Sequence, residues 1–504
     1  EESTSSNIKG IKVPLIESSK DIVIPQALGH ADTNIANSKL TTTFVVTTTG
    51  TKFIENILQE AYNAVCNRHP NMRVNGFNND KNEIIVRRIE NYFSKILFIK
   101  VQDKLDNEEY TEYWNQIVKD KVNKAEFQLN SQNPIHSLTV VTSNLRDETI
   151  FIFRNLHFLI DGKSNYIILN TLLSYYKKLL NDNMYDENSE EFKSLRQPLG
   201  IQDYNKPFVS QPEDKEGIVS QHLRMKQDLI EFRKLAEYHP LDFDCNGPEK
   251  KEKDHSELPM NIYLKKGTEE NFKLVKKLCK EKEFTIGSLI YAASYFLAAR
   301  VSKVEIFDNS NKEKETKSHM FTTADLRPRM QLNQTDVANL LSHIELGFSL
   351  KPDQTLLSLC REASEYLKQY SSKKGFNYYV EAFPLHDFSQ KEMTQVIERN
   401  KGTLKEFLIS NLGAYTFDKK IVLNENETVS IKSIYVVVSP WGPFFGSPAI
   451  EITSVDTFNY SFFHVGGEKN RKVGEDISNL YVYLLENSYK FMDVTMKEFR
   501  KMNI

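Results

Sequence analysis

The chain has 504 residues, more than one ordinary hydrophobic core accommodates, so two domains of similar size are the default. With 65 basic and 68 acidic residues the net charge is -3. The basic excess and basic stripe that nucleic-acid binding requires are therefore missing. No apolar run reaches the ~20 residues of a membrane span. The four cysteines, Cys66, Cys245, Cys279 and Cys360, lie too far apart for a metal knuckle or a disulfide framework, so no metal site is expected.

In chain order, the first 25 residues are rich in Ser, Lys and Glu and read as a loose arm. The β-branched stretch TTTFVVTTT at 41 to 49 predicts a strand. FIENILQEAYNAVC at 53 to 66 has helical apolar spacing, and the following Arg68-His69-Pro70 ends that helix. EIIVRRI at 83 to 89 and SKILFIK at 94 to 100 predict further strands, and 105 to 126 an amphipathic helix. SLTVVTS and ETIFIFRNL, split by the turn-like NLRD, predict an antiparallel pair that ends at His157. NYIILNTLLSYYKKLL at 165 to 180 predicts a strong amphipathic helix.

Residues 181 to 260 carry clusters of Pro, Asp, Asn, Glu and Lys and read as solvated linker with one helix near 218 to 237. Domain boundaries follow: an arm at 1–25, an N-terminal unit at 26–210, a crossover at 211–258 and a C-terminal unit at 259–504. In the second unit NIYLKKG is a strand, TEENFKLVKKLCKEKE a helix, and TIGSLIYAASYFLAARV at 285 to 301 a helix apolar nearly all round, hence buried. Strands follow at HMFTTADLR and HIELGFSL, then a helix at LLSLCREASEYLKQYSS, then strands at LISNLGAY, SIYVVVS, AIEITSVDTF and NYSFFHVGG. A long helix from about 474 to 500 closes the chain. Both halves interleave strands with helices, which gives an α/β (α+β) class with the site at their junction.

That site centres on His157. An apolar strand delivers it, and Asp161 and Gly162 follow. Imidazole is the natural general base near neutral pH. A carboxylate four positions later can restrain the turn through an arginine or backbone N–H groups, and glycine permits a sharp turn and close approach. The segment Asp325-Leu326-Arg327-Pro328-Arg329 lies at a strand end, and Arg327 or Arg329 suits a buried Asp161 as partner. A lone histidine beside apolar residues is more often a satisfied core residue, and His69 and His464 read that way. Asn411 in SNLG and Ser439 in SPWGP are weaker candidates for oxyanion or substrate contact; Trp441 is a packing residue by default. There is no GxSxG elbow, no P-loop and no GxGxxG after a strand.

HFLIDGKS resembles the HxxxDG motif of the CoA-dependent acyltransferase superfamily, which includes chloramphenicol acetyltransferase, plant BAHD enzymes, condensation domains and fungal alcohol acetyltransferases. NRHPNMR at 67 to 73, EFQLNSQNPIHSLTVV at 126 to 141, IQDYNKP at 201 to 207, ADLRPR, ANLLSHIELGFSL and SNLG follow in the superfamily's order. The resemblance covers roughly residues 25 to 500. It implies two chloramphenicol-acetyltransferase-like subdomains with a tunnel between them, His157 as the catalytic base, and Asp161 held by an arginine, Arg327 by first choice. The set looks most like the fungal alcohol acetyltransferase and trichothecene acetyltransferase branch; the plant DFGWG motif and the doubled histidine of condensation domains are absent.

The expected activity is acyl transfer, with acetyl-CoA as co-substrate and a small-molecule alcohol as acceptor. The alternatives are an amine acceptor such as a long-chain amino alcohol, or a non-catalytic binding protein. A monomer in the cytoplasm is expected. Peripheral contact with an intracellular membrane or lipid droplet stays open through the amphipathic segments at 53 to 66 and 474 to 500. The chain opens on Glu, not Met, which leaves room for a segment ahead of it.

Overall fold

The computed structural model describes residues 22–23, 40–78, 84–89, 94–101, 104–124, 126–181, 259–301, 316–325, 327–328, 334–371, 407–439, 448–466 and 468–504. Most of the arm, the 211–258 crossover with its expected helix, the Asp-Tyr segment at 201 to 207, Cys245 and Trp441 lie outside them. The first half contributes β1 (Ile22–Val23), β2 (Thr41–Thr49), α1 (Glu55–Arg68), β3 (Val74–Asn78), β4 (Ile84–Arg88), β5 (Leu97–Val101), α2 (Asn107–Val122), β6 (His136–Ser143), β7 (Glu148–Leu156) and α3 (Gly162–Leu180). The second contributes β8 (Met260–Lys266), α4 (Glu269–Glu281), α5 (Ile286–Val301), β9 (Thr316–Asp325), β10 (Leu341–Leu350), α6 (Leu356–Ser371), β11 (Leu408–Ala414), β12 (Lys420–Val422), β13 (Thr428–Val438), β14 (Ala449–Ser454), β15 (Phe458–Val465), α7 (Glu468–Glu486) and α8 (Met496–Lys501).

Local chemistry explains the main boundaries. Asp106 and Glu109 form a reciprocal capping box that starts α2. Pro70 opens a short 3-10 turn after α1, since it cannot continue the helix. The closing helix is not continuous. It stops at Glu486, and Thr495 with Glu498 caps a fresh short helix, because the intervening Asn, Ser and Asp residues favour turns over helix.

Two six-stranded mixed sheets organise the fold, in the orders β12-β13-β2-β7-β6-β5 and β10-β9-β11-β14-β15-β8. A small third sheet, β1-β4-β3, includes Ile22 and Val23 from the end of the expected arm. The first sheet is not built from the first half alone. β13 from the second half pairs antiparallel with β2 from Val438↔Thr42 to Ser430↔Thr49. A division of the chain at 259 therefore does not divide the sheets.

Each sheet covers one core. Phe44, Phe153, Tyr166 and Leu172 belong to the first, Leu289, Tyr295, Ile450 and Phe462 to the second. A third cluster joins the halves: Val45, Ile152 and Val437 meet Ile262, Ala449 and Phe463, with Trp114 of α2 alongside. Strand alternation sends successive side chains to opposite faces, so Ile450 and Ile452 enter the helix-covered core while Ala449 faces the other half. No single described helix is long and apolar enough to cross a membrane. α1, one of the amphipathic segments, buries Leu58, Ala61 and Val65.

The borrowed strand yields a test. Residues 40–181 expressed alone leave the β2 edge unpaired, and an unpaired edge promotes aggregation. The fragment should be insoluble or lack a cooperative melt, and co-expression with 259–504 should restore a soluble complex. A monomeric 40–181 fragment that melts cooperatively would refute the dependence.

Candidate active site

β7 ends at Leu156, paired with Thr41, and His157 is the first residue past it. Its N–H donates to the Leu40 carbonyl at 2.7 Å. The turn that follows is pinned along its length. Phe158, Leu159 and Ile160 are buried, Asn71 Nδ2 donates to the Leu159 carbonyl at 3.1 Å, and the Asp161 N–H points to the Ala338 carbonyl at 3.4 Å. Asn165 Nδ2 reaches back to the Asp161 carbonyl at 3.0 Å, while its Oδ1 accepts from Asn155 Nδ2 at 2.9 Å.

Asp161 is the N-cap of α3, accepting from the Ser164 N–H at 2.7 Å. Its two oxygens also take Arg327 Nη1 at 2.9 Å, Arg327 Nη2 at 3.2 Å and the Leu340 N–H at 2.8 Å. The ion pair expected of Arg327 is thus present and bidentate, with 0% and 2% side-chain exposure for Arg327 and Asp161. The guanidinium is fully engaged. Nε donates to the Asp336 carbonyl, Nη1 also to Asp325 Oδ1, and Nη2 also to Ser164 Oγ and the Asp336 and Ala338 carbonyls. Burial pushes the Asp161 carboxyl up, but Arg327 and the Leu340 and Ser164 N–H groups outweigh it and hold the carboxyl below its ordinary 3.8. Burial pushes Arg327 down, and Asp161 and Asp325 more than reverse this.

None of the described hydrogen bonds joins Asp161 to His157. Asp161, grouped with His157 as a catalytic candidate, places its carboxylate on Arg327 and on the Ser164 and Leu340 N–H groups. Ser164 is a site residue the sequence reading missed: its hydroxyl donates to the Ala338 carbonyl at 2.8 Å and accepts from the Ala338 N–H at 3.0 Å. Its place three residues after the N-cap aspartate, in DGKS, was the available signal. Gly162 sits close to Leu412 of β11: a Cβ there would lie 2.7 Å from Leu412 Cδ2, so any larger residue must displace that side chain.

The imidazole itself is only part-buried. Its Nδ1 is sealed from solvent and has no hydrogen-bond partner of normal geometry. The ring does feel its own backbone carbonyl, which favours the protonated ring. Burial pushes the His157 pKa down, and its own carbonyl and the Asp161 charge only partly offset this, leaving it below 6.5.

The weaker candidates have other duties. Ser439 Oγ accepts from the Thr41 N–H and donates to the Thr41 carbonyl, both at 3.1 Å. Thr41 pairs with Leu156, so Ser439 bonds to the same sheet end as His157, with its proton on the Thr41 carbonyl. Asn411 Oδ1 accepts from the Gly413 N–H at 3.0 Å. It shapes a β-bulge in which Gly413 takes the left-handed φ of +73°. Trp441 is outside the described residues. His69 and His464 are buried, as expected of structural histidines, and among the described residues no group of side chains could hold a metal ion.

No protein-family model matches this chain, and no curated protein does. Solved structures do. Trichothecene 15-O-acetyltransferase from Fusarium sporotrichioides superposes with a TM-score of 0.62 at 12% identity, over 93% of this chain and 95% of that one. The first condensation domain of the calcium-dependent antibiotic synthetase gives 0.63 at 10% identity, over 95% and 99%. Polyketide synthase associated protein 5 from Mycobacterium tuberculosis gives 0.55 at 12% identity, over 93% and 100%. The fold is the one common to these acetyltransferase and condensation structures, as the motif order implied.

The clamp should control stability. Asp161→Asn removes the buried, bidentate counter-charge of Arg327 and leaves it only the half-buried Asp325, and the expected loss is about 3 kcal/mol in chemical denaturation at neutral pH. The folded-state carboxyl is depressed, so its stabilisation is present above the unfolded carboxyl's ordinary pKa and lost as pH falls through the folded one. The difference between wild type and variant should therefore shrink in acid below about pH 4. A variant as stable as wild type at neutral pH would exclude the clamp.

Proposed function

We propose that the protein is an acyl-CoA-dependent acyltransferase, with acetyl-CoA as donor and the hydroxyl of a small alcohol as acceptor. The observation that carries this reading is His157 itself, part-buried on a pinned turn where elements of both halves meet, with Nδ1 sealed from solvent so that Nε2 is the nitrogen left to act as base. The shared fold with an O-acetyltransferase supports it.

His157 Nε2 removes the acceptor's hydroxyl proton as the oxygen attacks the thioester carbonyl. The tetrahedral intermediate collapses with cleavage of the C–S bond, and the imidazolium returns its proton to the departing CoA sulfur. The cycle leaves an ester, free CoA and a neutral imidazole. A base of this kind contributes roughly 10²- to 10⁴-fold, and holding both substrates together supplies much of the rest. The bidentate Arg327–Asp161 pair serves by fixing the turn, since small misplacements of a reacting group are costly in rate.

Two results test this. His157→Ala should lower ester formation by about 10²- to 10⁴-fold with its melting temperature unchanged, read by mass spectrometry of products from acetyl-CoA and a pool of alcohols. Undiminished turnover would sink the role. The base acts only when neutral and its pKa is lowered, so kcat/KM should hold as pH falls through 6.5 and decline only at more acidic pH. An acidic limb centred above 6.5 would contradict the buried imidazole.

A further inference from the structure

The face of the second sheet that looks toward the first half carries a carboxyl that nothing so far accounts for. Glu451 lies at the centre of β14, opposite Ser410 of β11 on one side and Ser461 of β15 on the other. It projects to the face of Ala449, which meets the first half, and away from Ile450 and Ile452. Its exposure is 8%, and Oε2 is sealed from solvent without a hydrogen-bond partner. Ser410 bonds the carboxyl but does not neutralise it, and burial pushes the group up to about 8. Ser461 turns its hydroxyl to receive the Val436 N–H at 3.1 Å. Among the described residues no lysine or arginine pairs with Glu451.

A buried acid without a counter-charge is costly. One structural explanation is a neutral carboxylic acid filling the interface. Its surroundings favour another. Ser410 and its neighbours Asn411 and Leu412 are only half-buried, as is Thr323, whose Oγ1 meets Ser410 Oγ at 3.3 Å. Leu412 is the residue against which Gly162 packs, and Ser410 lies two residues before it along β11, before the bulge at Asn411/Gly413. The half-buried stretch of β11 from Ser410 to Leu412 thus runs from the partner of Glu451 to the start of α3, which follows the His157 turn.

We propose that Glu451 is the binding group for a protonated amine carried by the acceptor, with Ser410 as its hydrogen-bonding neighbour, so that the preferred acceptors are amino alcohols and not simple alcohols. An ammonium supplies the missing charge and a donor for Oε2. The identity of the amine's carrier rests on the acyl-transfer reading; the binding of an amine does not.

The test separates the two. Norleucinol and hexanol differ by one amino group. Their affinities for the full chain are measured by calorimetry without acyl donor, for wild type and Glu451→Gln, with melting curves to check folding. Wild type should bind norleucinol about tenfold more tightly than hexanol, the effect of one charge-assisted hydrogen bond, and the ratio should fall to near one in the variant. Equal affinities in wild type, no binding of norleucinol, or a preference that survives in a folded E451Q would each overturn the proposal. The wild-type comparison decides even if the variant does not fold. Acetyl-CoA is then added to wild type: amine preference without any acylated product fails the transferase reading and leaves the Glu451 site standing, while product without amine preference does the reverse.

Discussion

The Asp161–Arg327 pair is the constraint on which the rest of the site depends. Taking two charges out of water costs several kcal/mol per ion, and the cost is offset only because every lone pair and proton has a partner. Asp161 accepts from Arg327, Ser164 and Leu340, while Arg327 also serves Asp325 and the Asp336 and Ala338 carbonyls. The arrangement is poor value as a stabilising contact compared with apolar packing. Its use is geometric. It fastens the start of α3 to the segment between β9 and β10, and so fixes the short turn whose first residue is His157.

The sheets impose the same requirement on a larger scale. β13 belongs in sequence to the second half and in hydrogen bonding to the first. Beside it, Thr453 Oγ1 bonds the Ile434 carbonyl and Ser461 Oγ takes the Val436 N–H, so the borrowed strand is tied to β14 and β15 as well. The halves cannot part without breaking ladder bonds. The His157 turn and the β14 face that carries Glu451 then keep a fixed relation to each other.

Much of this was legible. The β-branched run at 41 to 49, the antiparallel pair ending at His157 and the all-apolar helix at 286 to 301 follow from residue periodicity, because each buries one definite face. Charge narrowed the partner of Asp161 to Arg327 or Arg329, since a buried carboxylate needs a cation and ADLRPR places two at a strand end, and the family resemblance favoured Arg327. Three things were not legible. The swap of β13 depends on tertiary pairing, since SIYVVVS reads as a strand in either sheet. β3, VNGFN, contains Gly and Asn and lacks the β-branched signal. The break before Thr495 rests on a capping box inside a stretch whose apolar spacing looks continuous. Ser164 and Ser439 are ordinary serines in sequence, and only the fold turns their hydroxyls onto Ala338 and Thr41.

Glu451 was the least visible, and it completes a pattern among the buried ionisable groups. Asp161 is buried and saturated with donors, so its carboxyl stays ionised and its pKa falls. His157 is part-buried with its Nδ1 sealed from solvent, and the lowered pKa leaves it neutral at neutral pH. Glu451 is buried with an oxygen that receives nothing, and its pKa rises. At Asp161 a structural role satisfies all the hydrogen-bonding capacity of a buried charge. At Glu451 one oxygen receives nothing, and there the proposed ammonium has a hydrogen bond and a charge to supply.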